Sequence, residues 1–356
     1  MSSMNYAELI QKTVKPEPTG IVPFALLSAG AWAINRNNFT LEQALRVAPE
    51  TVAGWLFEGY TLADSAISWV GSGYNNIVVK AVGGKIKWRR TGTPDVSEPL
   101  IKTPDDAEGI NVADVSGDPD VKVIYETVKR LVEKENGQRL VGGSMWAPFT
   151  LAGLLTGADA LMRSVYKNPT AAHKLLRVAT ELYLEYMRGY ANAGAKVIFM
   201  ADPSASGDMI SKKHFEQFAF PYIREAFERL EATYPEVITG LHICGNTSDR
   251  LDLIAQSKTR IMSLDYKVPI ETAREAFGGK IAFSGNLNPV DVVQNGTAES
   301  IARETVACIE KANGVSGYIV MPGCDIPPLT PLENLQTISN TVREYNKKSG
   351  KGIDHG

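Results

Sequence analysis

The chain has 356 residues, 44% of them hydrophobic and 22% charged, with a formal net charge of −3. That is enough chain to bury one large core, and the near-neutral balance leaves no basic footprint for nucleic acid or an anionic membrane surface. The sequence contains no run of about 18 apolar residues, and its opening, MSSMNYAELIQKTVKPEP, has no apolar segment of the signal-peptide type, so a cytoplasmic protein is expected.

In chain order, eight short apolar runs read as strands: 22–28 (VPFALLS), 65–70 (SAISWV), 139–145 (RLVGGSM), 195–201 (AKVIFMA), 237–244 (VITGLHIC), 260–266 (RIMSLDY), 281–287 (IAFSGNL) and 317–324 (GYIVMPGC). Most are continuous rather than alternating, the pattern of strands buried on both faces. Helical spacing fills the intervals at 40–64, 118–137, 148–167, 169–193, 211–233, 269–277 and 297–313, with a last helix over 330–347. Asn168-Pro169 and Thr330-Pro331 fit a capping residue followed by proline at the first helical position. Eight strands alternating with helices predict an α/β fold, a closed parallel (β/α)8 TIM barrel spanning residues 1–356 as one domain. Residues 74–117 break the rhythm. KAVGGKIKWRR reads as a hairpin around Gly83-Gly84, followed by a polar loop, and the segment is expected to be an insertion after the second strand, over the barrel mouth. The tail KKSGKGIDHG is expected to be disordered.

Catalytic groups of such barrels sit at the carboxyl ends of the strands. His242 and Cys244 end the fifth run in LHICGN, and Cys324 ends the eighth in MPGCD. A His and a Cys two apart on a strand share a face. One imidazole and two thiolates suit Zn²⁺, and three protein ligands with a fourth position exchangeable are the catalytic arrangement. The alternative is a pair of buried cysteines and a core histidine that merely end strands. An odd count of three cysteines argues against a disulfide framework. Cys308, inside the helical stretch ESIARETVACIEKA, is expected to pack in the core. Asp265 in MSLDYK is a candidate fourth ligand, or else it pairs with Lys267 or caps the next segment. Asp325 is a candidate partner of the ligands.

LHICGN together with MPGCDIPPLTPLENL resembles the zinc-dependent methylcobalamin:coenzyme M methyltransferases of the uroporphyrinogen decarboxylase superfamily. The similarity takes in GGSMWAPFTLAGLL at 142–155, ADPSASGDMISKKHFEQF at 201–218 and FSGNLNP at 283–289, and it weakens before residue 139. The resemblance implies zinc on His242, Cys244 and Cys324 with an acidic residue at Asp265. It also implies a small corrinoid protein that docks over the mouth and supplies methylcobalamin, and a substrate thiol such as coenzyme M, activated by the metal. Trp146, Asp202, Ser204 and Asn286 lie at strand ends within the similar stretches and are candidates to contact substrate or corrinoid; Asp202 and Ser204 are alternatively turn or cap residues. Two other chemistries share the fold. One is methyl transfer from a methoxyarene or amine to cob(I)alamin, or to a tetrahydrofolate acceptor. The other is uroporphyrinogen decarboxylation, whose arginine-rich motif after the first strand is replaced here by the apolar LLSAGAWAIN.

Overall fold

The computed structural model describes residues 4–15, 19–313 and 317–348. Nine strands are present in the described residues: β1 (Ile67–Trp69), β2 (Lys85–Lys87), β3 (Asp95–Glu98), β4 (Leu140–Trp146), β5 (Val197–Ala201), β6 (Ile238–Ile243), β7 (Ile261–Leu264), β8 (Ala282–Leu287) and β9 (Tyr318–Pro322). Seven of them form one parallel sheet in the order β1-β4-β5-β6-β7-β8-β9. The run at 22–28 closes the ring without becoming a regular strand. Phe24 bridges Val320 in parallel, the Ala25 N–H donates to the Val320 carbonyl at 3.0 Å, and the Ala66 N–H donates to the Phe24 carbonyl at 2.8 Å. The architecture is therefore the expected α/β barrel, with its first stave irregular.

The strands form where the sequence is continuously apolar because both faces are covered. Every residue of β6 is buried, as are the first six of β4. Inside the ring, Trp69 and Phe199 meet edge to face with centroids 5.2 Å apart, a pairing that adds specificity to the area they bury.

Most of the expected helices are found with trimmed ends, including Pro119–Glu135, Pro169–Asn192 and Ala298–Lys311. Two are interrupted for identifiable reasons. The stretch 148–167 is two helices, Pro148–Thr156 and Ala158–Lys167, separated by Gly157 at φ 87°, a conformation that glycine adopts without strain. The stretch 211–233 passes through a π-helical turn at Phe215–Ala219 before Phe220–Thr233, where Pro221 supplies no N–H for a regular turn. Asn168 caps as expected, accepting from the Ala171 N–H at 3.3 Å. Thr330 instead donates to the Pro327 carbonyl at 2.8 Å, and the last helix starts at Leu332.

The segment 74–117 is also arranged differently. Residues Ile77–Ala81 are helical, Gly83-Gly84 form the turn out of that helix, and the antiparallel pair is β2 with β3, joined by residues 88–94. Helices at Tyr6–Thr13 and Gly30–Asn35 add to those expected. Lys347 and Lys348 end the last helix, and the rest of the tail lies outside the described residues.

Candidate metal centre

Register places the first ligand. His242 on β6 lies beside Ala201 of β5 and Ser263 of β7. Its Nδ1 is 3.3 Å from the Ser263 carbonyl oxygen and 3.1 Å from Ser263 Oγ. A proton on Nδ1, donated to Ser263, leaves the Nε2 lone pair facing the sulfurs, the orientation a metal-ligating imidazole needs. Nε2 lies 3.2 Å from Cys244 Sγ, and Cys244 Sγ lies 3.6 Å from Cys324 Sγ. The three ligand atoms fall within 4.8 Å of one another.

The chain bends just past β6 and β9 to bring the sulfurs in. Gly245 has φ 94°, and its N–H donates to Asp265 Oδ2 at 2.9 Å. The Gly323 N–H donates to the Leu287 carbonyl at 2.7 Å. A Cβ at Gly323 would stand 2.7 Å from the Tyr266 backbone nitrogen, so only glycine lets the Cys324 loop close on the loop after β7.

Electrostatically the three groups behave as one unit. Burial pulls His242 down, but the Cys324 sulfur and the Asp265 charge reverse this, and its pKa is raised overall. The hydrogen bond with Cys324 lowers Cys244 against the opposing effect of burial. The same hydrogen bond, reinforced by burial, raises Cys324. Two thiols and an imidazole crowded into a buried corner, sharing protons for want of other partners, are the donor set expected of a site that exchanges those protons for a soft divalent cation.

Asp265 is outside this trio. Its Oδ1 accepts from the Lys267 N–H and its Oδ2 from the Gly245 N–H, each at 2.9 Å, so it braces the turn that carries Cys244. Of the four candidates for substrate or corrinoid contact, Trp146 lines the cavity beside the trio, with Nε1 donating to Asn76 Oδ1 at 2.6 Å. Asp202 is fully buried. Its Oδ1 accepts from the Thr150 N–H at 3.1 Å and from Thr150 Oγ1 at 2.6 Å, at the start of helix Pro148–Thr156. Its Oδ2 has no partner, and burial pushes its pKa up to about 7 despite the Thr150 bonds. The Ser204 N–H donates to Thr150 Oγ1 at 3.2 Å. The Asn286 amide donates to the carbonyls of Asp265 and Val268, at 3.0 and 2.6 Å, and so holds the loop after β7. Cys308 is buried in the core and absent from the metal-ligating group.

The cavity over the trio measures about 170 Å³. Its walls are largely apolar: Trp146, Phe199, Met200 and Ala201 from β4 and β5, and Leu27 from the irregular first stave. Ser28, Thr93, Ser144 and Asp325 complete it. Thr93 belongs to the β2–β3 connection, which brings part of the 74–117 segment to the mouth. Leu27, Ser28 and Thr93 carry no local signal in the sequence; they reach the cavity only because the ring closes through residues 22–28 and because Asn76 Nδ2 ties down the Pro94 carbonyl at 2.7 Å. Among the described residues no helix is long and apolar enough to cross a membrane.

Comparison with known proteins agrees with this fold. A family model described as uroporphyrinogen decarboxylase (URO-D) matches residues 74–345. The methylated-thiol–coenzyme M methyltransferase of Methanosarcina mazei is 29% identical over 269 residues, covering 76% of this chain and 70% of the relative. The methylcobamide:CoM methyltransferase MtbA of Methanosarcina acetivorans is 30% identical over 252 residues, covering 71% of this chain and 72% of the relative. Uroporphyrinogen decarboxylases of bacteria match at similar identity. Among solved structures, one described as a methyltransferase from Methanosarcina mazei superposes with a TM-score of 0.86 at 25% identity, covering 96% of this chain and 99% of that one.

Proposed function

The chain belongs to the uroporphyrinogen decarboxylase family, and from that premise we propose that it is a zinc-dependent corrinoid methyltransferase, moving a methyl group between a methylcorrinoid protein and a small thiol. The observation that carries this reading is the convergence of His242, Cys244 and Cys324 at the floor of a small cavity. Two of the relatives named above are described as a methylated-thiol–coenzyme M and a methylcobamide:CoM methyltransferase, and the donor set suits zinc, which a decarboxylase that works without metal would not need. A decarboxylase would also have to pair the many carboxylates of a tetrapyrrole. A cavity of about 170 Å³ whose described lining includes no arginine or lysine offers them nothing.

His242, Cys244 and Cys324 would hold the metal, and when bound zinc supplies Lewis acidity that lowers the pKa of a thiol brought to the fourth position. Ser263 fixes the His242 tautomer and ring, while Asp265 and Gly245 fix the turn that presents Cys244. The apolar walls exclude water, so the substrate sulfur keeps its nucleophilicity. In the transfer, the sulfur lone pair forms the new S–CH₃ bond. A methylcorrinoid would supply the methyl group and keep the Co–CH₃ bonding pair, and the thiol proton would leave to solvent. The cavity has no room for the corrin ring, so the methyl group must be presented from above by a partner. Exposed apolar side chains are available for one: Met209, Tyr266, Val290 and Leu329 are exposed in the segments that follow β5, β7, β8 and β9.

The test is turnover of free methylcobalamin by the zinc-loaded protein against thiols, tetrahydrofolate and methoxyarenes. Formation of cob(I)alamin and a methyl thioether with thiols alone is expected; turnover with folate or a methoxyarene and not with thiols would replace this reading.

A further inference from the structure

The cavity does not suit a thiol with a charged tail. Among its described lining residues the only candidate cation is His242, which gives up that role when it ligates metal. The one carboxylate in the lining is Asp325. A sulfonate or carboxylate tail would therefore enter a largely apolar pocket whose described lining offers it no lysine or arginine, an arrangement that burial penalises. No helix N-terminus supplies the missing positive end. The helix of eight or more residues that begins beside the cavity, Pro148–Thr156, has its Thr150 N–H occupied by Asp202. Three basic side chains are paired with acidic groups, and none of them lines the cavity. Lys267 pairs with Asp208 at 2.8 Å, Arg89 with Asp95 at 2.6 Å, and Arg250 with Asp249 at 2.8 Å. Arg90 lines a separate groove with Asn35, Asn38 and Leu329.

We infer that the substrate of this site is a small thiol, or the methyl thioether made from it, whose remaining atoms carry no charge, and that a sulfonate-bearing thiol such as coenzyme M is a poor ligand. This rests on the thiol reading proposed above. The volume sets the scale, since about 170 Å³ is below the roughly 300–1,000 Å³ typical of larger ligands.

The experiment is calorimetric titration of the zinc-loaded protein with 1-propanethiol and with 2-mercaptoethanesulfonate, alongside methylcobalamin turnover with each. Binding of 1-propanethiol is expected to be at least tenfold tighter, with a proton released, and its kcat/KM correspondingly higher. Thr93→Arg, which adds the absent cation at the mouth, should tighten the sulfonate thiol at least tenfold relative to 1-propanethiol. Arg90→Ala should alter neither. Equal or tighter binding of the sulfonate by the parent protein would overturn the inference, as would its selective loss in Arg90→Ala. If neither thiol binds or releases a proton on fully zinc-loaded protein, the thiol reading itself fails and this inference with it, an outcome distinct from a reversed preference.

Discussion

The two halves of the barrel mouth are built on different principles. From β5 to β9 the staves are regular, adjacent strands in continuous register, and they deliver His242 and, just beyond their ends, Cys244 and Cys324. Across the cavity the wall includes irregular pieces: the 22–28 run, held by a bridge to Val320 and a hydrogen bond from Ala66, and the β2–β3 connection with Thr93. Under the proposed function, the regular side would hold the metal and the irregular side would shape what meets it. In this arrangement, substrate choice can change without disturbing the metal, because loops tolerate substitution better than paired strands do.

Substitutions can break that division. The largest effect is expected on the regular side: Cys324→Ala or Cys244→Ala should lose most of the zinc and the activity with it, since each removes one of three ligands. Cys308→Ala, in the core, should keep the metal, as elemental analysis of the three variants would show. Asp265→Asn should come next. It leaves one fewer acceptor for the Lys267 and Gly245 N–H groups and loosens the Cys244 turn, lowering zinc affinity by about 10-fold, at the lower end for groups that orient ligands. Competition against a chelator measures this.

On the other side, Trp146→Phe should leave zinc untouched and raise KM for the thiol by about tenfold, roughly what one buried hydrogen bond left unmade costs. It removes the partner of Asn76, the residue that also anchors Pro94 next to Thr93. Equal loss of metal in this variant and in Asp265→Asn would erase the distinction between the halves.

The smallest effect concerns Asp202. Its carboxyl is raised to about 7 in the fold from an ordinary value near 3.9. The folded state therefore keeps a proton that the unfolded chain gives up, and the contribution of this group to stability falls as pH rises between those values. Asp202→Asn does not ionise, so its melting temperature should gain on the parent as pH is raised from 5 to 8. A constant gap across that range would contradict the assignment.

The same contrast governs how much could be read from the sequence. The strands of the regular half were legible as continuous apolar runs, and the trio as His and Cys at their ends, because a buried parallel strand leaves a local pattern. Residues 22–28 were legible as an apolar run, though not as an irregular stave. The hairpin could be recognised in KIKW but its turn was displaced from Gly83-Gly84 to 88–94. Helix Ile77–Ala81 consumes residues that look strand-like, and its stability comes from burying Ile77, Val78 and Val79. Position at a strand end did not say which way a side chain faces: Trp146 reaches the cavity, whereas Asn286 turns to the Asp265 and Val268 carbonyls. Such orientations are set by tertiary contacts that leave no trace in neighbouring residues.

The central claim, a zinc ion on His242, Cys244 and Cys324 with its remaining position open to a substrate thiol, is tested most directly by X-ray absorption at the zinc edge with and without 1-propanethiol. Two sulfurs are expected in the thiol-free protein and a third on addition, at roughly 2.3 Å, the usual zinc–thiolate distance. A sulfur count that stays at two with the thiol saturating, or that is unchanged in Cys324→Ala, would contradict it.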